Sequence, residues 1–277
     1  MDMKNNPIGV FDSGIGGLSV LKQFIRFLPF ERYVYLGDTA RVPYGNRSPE
    51  TVKRYAKEST RFLLEHDVKL IVVACNTVSS VALDVVRELS TVPVIGMIYP
   101  AAVAALRATV NKKIGVIGTR ATINSNAYSE EINKLSNGDN IKVISQACPL
   151  FVPIIEEGWL EHPATRLISE EYLSGLKAEN IDTLVLGCTH YPLLKQLLTE
   201  MMPGISLVDS GEHAAVMAVR MLAEQENLVE EKDVYVQKPG IEFFVTDIPS
   251  TFFDIAQKFL GFTVESPKIV SLSSLIK

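Results

Sequence analysis

Short apolar runs alternate with amphipathic stretches along almost the whole chain. The apolar runs predict β-strands near residues 8–12, 33–37, 69–74, 92–96, 113–118, 141–146, 182–187 and 205–208. The stretches between them repeat apolar positions at helical spacing, and they predict helices near residues 16–27, 49–66, 78–90, 121–135, 163–178 and 191–201. Such alternation is typical of parallel strands joined by crossover helices, so the sequence predicts an α/β fold.

The second half of the chain repeats the order of elements of the first half. Ile8–Asp12 opens the first half and Ile114–Gly118 opens the second, and both runs have the pattern Ile-Gly-Val. A cysteine ends the third predicted strand of each half, at Cys75 and at Cys188. We interpret this as an internal duplication. It predicts two pseudo-symmetric, open parallel-sheet α/β domains with the active site in the cleft between them.

The residues after 210 are too few to form a third hydrophobic core. They predict, in order, a helix over 212–223, an acidic and polar turn region over 224–233, a strand over 241–245 and a helix over 250–260. We expect this tail to pack on the first half and to make the first domain discontinuous. The predicted domains are residues 1–98 with 210–277, and residues 99–209.

Composition favours a small-molecule substrate. The chain has 277 residues, a formal net charge of -5 and 47% hydrophobic residues. This is a globular composition, and the acidic balance gives no basic surface for nucleic acid. The N-terminal residues lack the apolar core of a signal peptide, and no apolar stretch reaches membrane-spanning length. We therefore expect neither a nucleic acid nor a membrane as partner.

The cysteine content indicates a reducing compartment. Three cysteines in a chain of this length do not form a disulfide framework, and the sequence contains no Cys-x-x-Cys pair. We expect reduced thiols and a cytoplasmic location. The sequence leaves the oligomeric state open, with a homodimer as one option.

The two cysteine motifs carry the strongest chemical signal. Cys75 is followed by Asn76 and Thr77, and Cys188 is followed by Thr189 and His190. A thiol between a strand and a helix lies near unpaired backbone N–H groups, which lower a cysteine pKa. Free cysteine is also a common core residue, so one such position alone is weak evidence. Two equivalent positions favour function: one thiol removes a proton from one face of a carbon and the other delivers a proton to the opposite face, which is racemisation.

Two cofactor interpretations are less favoured. Cys75, Cys188 and His190 have no spacing typical of a zinc site, so we predict no metal. The first loop partly matches a dinucleotide-binding fingerprint, because Gly14 and Gly16 follow a strand and an acid, Asp38, ends the next strand. However, Ser19 occupies the third glycine position, and the Asp12 carboxylate at the head of the loop would repel a pyrophosphate. We expect this loop to bind a carboxylate instead.

Three further residues are candidates for substrate contact or proton transfer. Tyr44 and Gly45 belong to a polar loop at the end of the second predicted strand, where ligands bind in open α/β sheets. The alternative for this loop is an ordinary turn with a packed ring. His190 stands two residues after Cys188 and could stabilise its thiolate. The other three histidines and Cys148 are predicted to have structural or surface roles.

These motifs together resemble glutamate racemases of the cofactor-independent aspartate/glutamate racemase family. The resemblance covers nearly the whole chain and rests on four segments: Phe11–Leu18, Asp38–Ala40 with Pro43–Gly45, Ala74–Thr77 and Gly187–Pro192. It implies two pseudo-symmetric α/β domains, no cofactor, and interconversion of L- and D-glutamate, which supplies D-glutamate for bacterial peptidoglycan.

The resemblance also implies the roles of individual residues. Cys75 and Cys188 are expected to be the acid/base thiols, with Asp12 assisting Cys75, and Glu156 and His190 assisting Cys188. The acid beside Cys188 is left open between Glu156 and the adjacent Glu157. The expected substrate contacts are Asp12, Ser13, Tyr44, Gly45, Asn76, Thr77, Thr189 and His190.

Two other functions remain as alternatives. A racemase for aspartate or a related amino acid would share both cysteines and differ in the size of its pocket. A non-catalytic amino-acid binding protein would have the same two-lobed shape, but it has no use for paired thiols.

Overall fold

The computed structural model describes residues 3–230, 240–250, 252–264 and 267–272. Its strands are β1 (Ile8–Asp12), β2 (Tyr33–Gly37), β3 (Leu70–Val73), β4 (Val94–Ile95), β5 (Lys113–Gly118), β6 (Lys142–Ala147), β7 (Thr183–Gly187), β8 (Ser206–Asp209), β9 (Ile241–Val245) and β10 (Lys268–Ile269). Its α-helices are α1 (Leu18–Phe27), α2 (Pro49–Leu64), α3 (Asn76–Val81), α4 (Leu83–Leu89), α5 (Ile98–Ala108), α6 (Arg120–Asn124), α7 (Ala127–Leu135), α8 (Phe151–Glu156), α9 (Pro163–Ala178), α10 (Lys195–Met201), α11 (Ser210–Glu224) and α12 (Phe252–Leu260). Short 3-10 helices cover Thr39–Arg41, Tyr44–Asn46 and Tyr191–Leu194.

The strands form two parallel sheets, which confirms the predicted α/β class. One sheet has the order β10-β9-β2-β1-β3-β4 and the other has the order β6-β5-β7-β8. The segments β2-β1-β3-β4 and β6-β5-β7-β8 therefore have the same topology, as a duplication requires.

The strand register makes the two cysteines equivalent in the fold. Ile8 of β1 pairs with Leu70 of β3, and Ile114 of β5 pairs with Thr183 of β7. Cys75 follows Leu70 by five residues, and Cys188 follows Thr183 by five residues. Both thiols thus lie at the carboxyl end of the corresponding strand.

The central strands are apolar because both faces of each sheet are covered by helices. All residues of β1, β3 and β7 are buried. Successive side chains of β3 point to opposite faces, so Leu70 and Val72 join one core cluster while Ile71 and Val73 join another. This packing fixes the strand ends from which the cysteines project.

Three predicted helices are wrong in detail, because each is interrupted. The helix expected over 78–90 is two helices, α3 and α4, since the backbone leaves the helical region at Ala82. The helix expected over 121–135 is divided into α6 and α7 by Asn126, which has the left-handed φ of 58° that asparagine tolerates. The segment expected as a helix over 191–201 begins as a 3-10 turn containing Pro192 and becomes α10 at Lys195.

Two helices of the described residues were not predicted from the sequence. Helix α5 is a mostly buried, alanine-rich segment without a clear polar face, and it lies against the second sheet. Helix α8 carries Glu156 in a stretch that contains two prolines. Pro100 in α5 and Pro153 in α8 each occupy the third helical position, where the missing N–H would have no intrahelical acceptor.

The tail returns to the first sheet, as the sequence predicts. Strand β9 occupies the predicted residues 241–245 and pairs with β2 in parallel. Helix α12 packs against α1, and α11 packs against both α1 and α5. Residues 231–233 of the predicted turn region lie outside the described residues. The domain bounds themselves stay a prediction.

None of the helices in the described part of the chain is both long enough and apolar enough to cross a membrane.

Candidate active site

A cavity of about 340 Å³ lies at the carboxyl ends of the central strands of both sheets, where open α/β folds bind ligands. Both lobes line it. Among its lining residues are most of the predicted site residues: Ser13, Tyr44, Gly45, Cys75, Asn76, Thr77, Glu156, Cys188, Thr189 and His190. The carboxylate of Asp12 is buried behind this lining. Of the predicted set, therefore, Asp12 alone does not form part of the cavity wall.

Cys75 occupies the position before helix α3 and is almost fully buried. Its thiol donates a hydrogen bond to Ser13 Oγ at 3.4 Å. Burial, with a contribution from the nearby negative charge of Asp12, raises the pKa of Cys75 to about 12. The expectation of a lowered pKa is wrong for this thiol, because loss of water outweighs the field of a six-residue helix.

Asp12 lies on the Cys75 side of the cleft. Its Oδ2 accepts a hydrogen bond from the Gly14 backbone N–H at 2.9 Å, while Oδ1 has no hydrogen-bond partner among the described residues. Burial raises the pKa of this carboxyl, and the opposing influence of His190 is smaller. Asp12 is thus a buried carboxyl with an electrostatic influence on the Cys75 thiol.

Cys188 has different neighbours. Its Sγ lies 3.9 Å from His190 Nδ1, and His190 Nε2 lies 2.9 Å from Glu156 Oε1. Burial lowers the pKa of His190, but the hydrogen bonds with Cys188 and Glu156 outweigh burial and raise this pKa to about 10. The imidazolium form of His190 is therefore favoured when Cys188 carries a negative charge. Glu156, and not Glu157, lines the cavity and contacts the histidine.

The glycine-rich first loop approaches this histidine closely. A Cβ added at Gly16 would lie 2.4 Å from the imidazole atoms Cε1 and Nδ1 of His190 and 2.4 Å from Thr189 Oγ1. Only a residue without a side chain fits there. Gly16 is therefore explained by contact between the two lobes, whereas a Cβ at Gly14 would lie 2.8 Å from Val42 Cγ1 of the same lobe.

Hydrogen bonds join the two lobes around the cavity. Asn76 Oδ1 accepts from the Tyr128 hydroxyl at 2.6 Å, and the hydroxyls of Thr77 and Thr119 lie 2.9 Å apart. At the first loop, Ser19 Oγ donates to the Thr189 carbonyl at 2.6 Å. These bonds fix the positions of the residues next to Cys75 relative to those next to Cys188.

Sequence reasoning missed Thr119, Arg120 and Tyr128. The first two line the cavity, and Tyr128 bonds to a lining residue. The duplication carried a usable signal for Thr119, which follows β5 directly, just as Ser13 follows β1. No comparable signal marks Tyr128, because its role depends on a contact between lobes.

Within the described ranges, no group of three or more His, Cys, Asp and Glu side chains has an arrangement that could hold a metal ion. The same residues contain three cysteines, all free thiols.

The two α/β lobes have the same strand order, and each contributes one thiol to a single cavity. This arrangement is typical of a protein that acts on a small molecule. The chain matches the sequence model of the Asp/Glu/Hydantoin racemase family over residues 8–218, and it belongs to that family.

Individual relatives are similar over nearly their whole length. The chain is 49% identical to the glutamate racemase of Syntrophus aciditrophicus over 96% of this chain and 97% of the relative. It also resembles the crystal structure of Francisella tularensis glutamate racemase in complex with D-glutamate, with a TM-score of 0.90, 41% identity and coverage of 98% and 99%. The Thermus thermophilus glutamate racemase, solved with β-chloro-D-alanine, matches with a TM-score of 0.85, 42% identity and 98% coverage of both chains.

Proposed function

We propose that this protein interconverts L-glutamate and D-glutamate by a cofactor-independent mechanism with two cysteine bases. The observation that carries the proposal is that Cys75 and Cys188 project from equivalent strand ends of different lobes into one cavity. Each thiol has separate polar partners, and the close relatives are glutamate racemases. These relatives favour glutamate over aspartate as the substrate.

The size and polarity of the cavity support a small amino-acid substrate. A volume of about 340 Å³ lies near the lower end of the range for ligand pockets. Hydroxyl and amide groups of Ser13, Asn76, Thr77 and Thr189 provide hydrogen-bond partners for the ammonium and carboxylate groups. The Tyr44 hydroxyl is bonded to Asp38 inside the protein, so Tyr44 and Gly45 would contact the substrate through their backbone.

The family resemblance implies that, in the direction from L- to D-glutamate, the thiolate of Cys188 removes the α-proton and becomes a thiol. The electron pair of the broken C–H bond is left on Cα and is delocalised into the substrate carboxylate. The thiol of Cys75 then gives its proton to the opposite face of Cα and becomes a thiolate. The reverse reaction starts with Cys75 as the thiolate, so the protonation states of the two cysteines exchange at each turnover.

The charges around the cavity support these starting states. Cys75, with a pKa raised to about 12, is protonated at neutral pH and ready to donate. The protonated His190 beside Cys188 stabilises negative charge on that sulfur. For the reverse direction, the buried carboxylate of Asp12, whose pKa is raised by burial, is suited to accept the proton of Cys75.

The α-proton of glutamate is far less acidic than a thiol, so the intermediate carbanion must be stabilised. Hydrogen bonds from Ser13, Thr77 and Thr189 to the substrate carboxylate would become stronger as negative charge moves onto it. Displacement of water by the bound substrate would strengthen these bonds further.

Purified protein dialysed against a chelator is expected to racemise L-glutamate at an undiminished rate, because the paired thiols supply both proton transfers. Circular dichroism of the amino acid follows the approach to a racemic mixture. The same assay with L-aspartate is expected to give a kcat/KM at least about tenfold lower, the size of discrimination that one methylene supports. Restoration of a lost activity by pyridoxal phosphate or a metal salt would disprove the cofactor-free mechanism.

D-glutamate made by this reaction would supply peptidoglycan synthesis, as the family resemblance implies. The cytoplasmic location and the homodimer stay predictions.

A further inference from the structure

The carboxylate of Asp38, at the end of β2, is fully buried and accepts three side-chain hydrogen bonds. Its Oδ1 accepts from Thr246 Oγ1 at 2.9 Å. Its Oδ2 accepts from Arg41 Nε at 2.6 Å and from the Tyr44 hydroxyl. A buried carboxylate is tolerated only when such donors replace the lost water. The proton-transfer mechanism above has no use for Asp38, so its arrangement needs a separate explanation.

Tyr44 connects this network to the cavity. Among the described residues of the network, Tyr44 lines the cavity, whereas Asp38, Arg41 and Thr246 do not. The tyrosine is only 3% exposed, and its hydroxyl points inward to Asp38. The position of the Tyr44–Gly45 wall therefore depends on the position of the Asp38 carboxylate.

The guanidinium of Arg41 holds Asp38 from one side. It also forms an ion pair with the buried Glu58 and lies 4.0 Å from the centre of the Tyr55 ring. The Tyr55 ring in turn packs 5.2 Å from the Tyr44 ring. One cation between two buried carboxylates restricts the carboxylate of Asp38 to one orientation.

The tail holds Asp38 from the other side. Thr246, directly after β9, accepts a hydrogen bond from the Ala40 backbone N–H at 2.8 Å while it donates to Asp38. Its own N–H donates to the Gly37 carbonyl at 3.1 Å. The next residue, Asp247, bonds to Thr39 Oγ1 through both its N–H and its carbonyl, at 2.9 and 2.5 Å. The loop that carries Tyr44 is thus tied to a strand far away in sequence.

We propose that Asp38 and Thr246 are positioning residues for glutamate binding. Their hydrogen bonds hold the Tyr44 hydroxyl in place and thereby fix the Tyr44–Gly45 backbone that would contact the substrate. This inference rests on the proposed function. The returning tail then contributes to the site without touching the substrate, because Thr246 orients Asp38 and Asp38 orients the Tyr44–Gly45 wall. Loss of the hydrogen bond between Thr246 and Asp38 would displace the Tyr44–Gly45 wall of the cavity. It would leave Cys75, Cys188 and their partners in place. The effect is therefore expected on KM and on ligand affinity more than on kcat.

The test is the substitution Thr246→Val, which keeps the shape of the side chain and removes its hydroxyl. We expect KM for glutamate to rise about fivefold to tenfold, because only part of the contribution of the lost hydrogen bond is transmitted to substrate binding, with kcat within about threefold of wild type. Thr246→Ser restores the hydroxyl and is expected to restore KM. Calorimetric titration with D-glutamate is expected to show the same loss of affinity.

The second lobe offers a matched control. Thr183 Oγ1 donates to Asp182 Oδ1 at 2.9 Å, but this pair lies at the start of β7, at the opposite end of the strand from Cys188. Thr183→Val is expected to leave KM and kcat unchanged. A KM for Thr246→Val equal to that of Thr183→Val would overturn the inference, provided that melting shows both variants folded.

A second variant tests the same link if Thr246→Val fails to fold. Tyr44→Phe removes the hydroxyl that contacts Asp38 without touching the tail, and it is expected to raise KM in the same way. An unchanged KM in Tyr44→Phe would also overturn the inference. Wild-type protein that does not racemise glutamate would instead refute the proposed function, so the two failures are distinguishable.

Discussion

Replacing either Cys75 or Cys188 with alanine is expected to lower kcat/KM for racemisation by at least about a thousandfold, the scale of a lost general acid or base. The remaining thiol reaches only one face of Cα, so it cannot complete an inversion alone. The loss is expected in both directions, because each cysteine is the base in one direction and the acid in the other. Initial rates from L- and from D-glutamate provide the measurement.

Cys148 provides the matched control for these variants. It is a third buried, free thiol, but it lies outside the cavity and donates to the Gln146 carbonyl at 3.7 Å. Cys148→Ala is expected to retain racemisation even where it lowers the melting temperature. A Cys188→Ala protein that racemises at a rate near that of wild type would refute the paired-thiol mechanism.

Gly16→Ala is expected to lower kcat/KM by at least about a hundredfold, the effect of displacing a catalytic group by about 1 Å. The new methyl group would lie 2.4 Å from the His190 imidazole and from Thr189 Oγ1, far inside contact distance. Because Gly16 has an ordinary backbone conformation, the cost comes from this contact and not from backbone strain. His190 must move, and its alignment with Cys188 and Glu156 is lost.

Gly175→Ala is the control for this substitution. Gly175 lies inside α9, and apart from the adjoining residues and backbone of the same helix no atom lies within 4 Å of the position that its Cβ would occupy. This change is expected to keep full activity and to stabilise the protein by up to about 1 kcal/mol, as alanine does within a helix. A Gly16→Ala protein with wild-type kcat/KM would show that the contact between the first loop and His190 is not needed.

The sequence predicted those parts of the fold that depend on local pattern. The strands that carry the two cysteines are apolar runs ended by polar residues, and strand β9 lies at the predicted residues 241–245. The sequence also showed that the Cys75 and Cys188 loops are equivalent, because each follows the third predicted strand of its half. Prediction failed for α5 and α8, because α5 has no clear polar face and each helix contains a proline, which in a sequence pattern usually marks a helix end.

The rest of the site depends on contacts that no local pattern contains. The bond from Tyr128 to Asn76 and the packing of Gly16 on His190 join residues of different lobes. The raised pKa of Cys75 also lies outside the local pattern, because the burial of the thiol in the folded protein determines it. Periodicity identifies the end of a strand, but it does not tell how much water remains there.

The most direct test of the two-thiol mechanism is the reaction of L-glutamate in deuterium oxide, followed by proton NMR and chiral separation at early times. We predict that D-glutamate carries deuterium at Cα from the start, because the second thiol delivers a solvent-derived deuteron. The remaining L-glutamate is predicted to stay largely protiated, since the removed proton is not returned to the same face. L-glutamate that exchanges as fast as D-glutamate forms would indicate a single base and would contradict the mechanism.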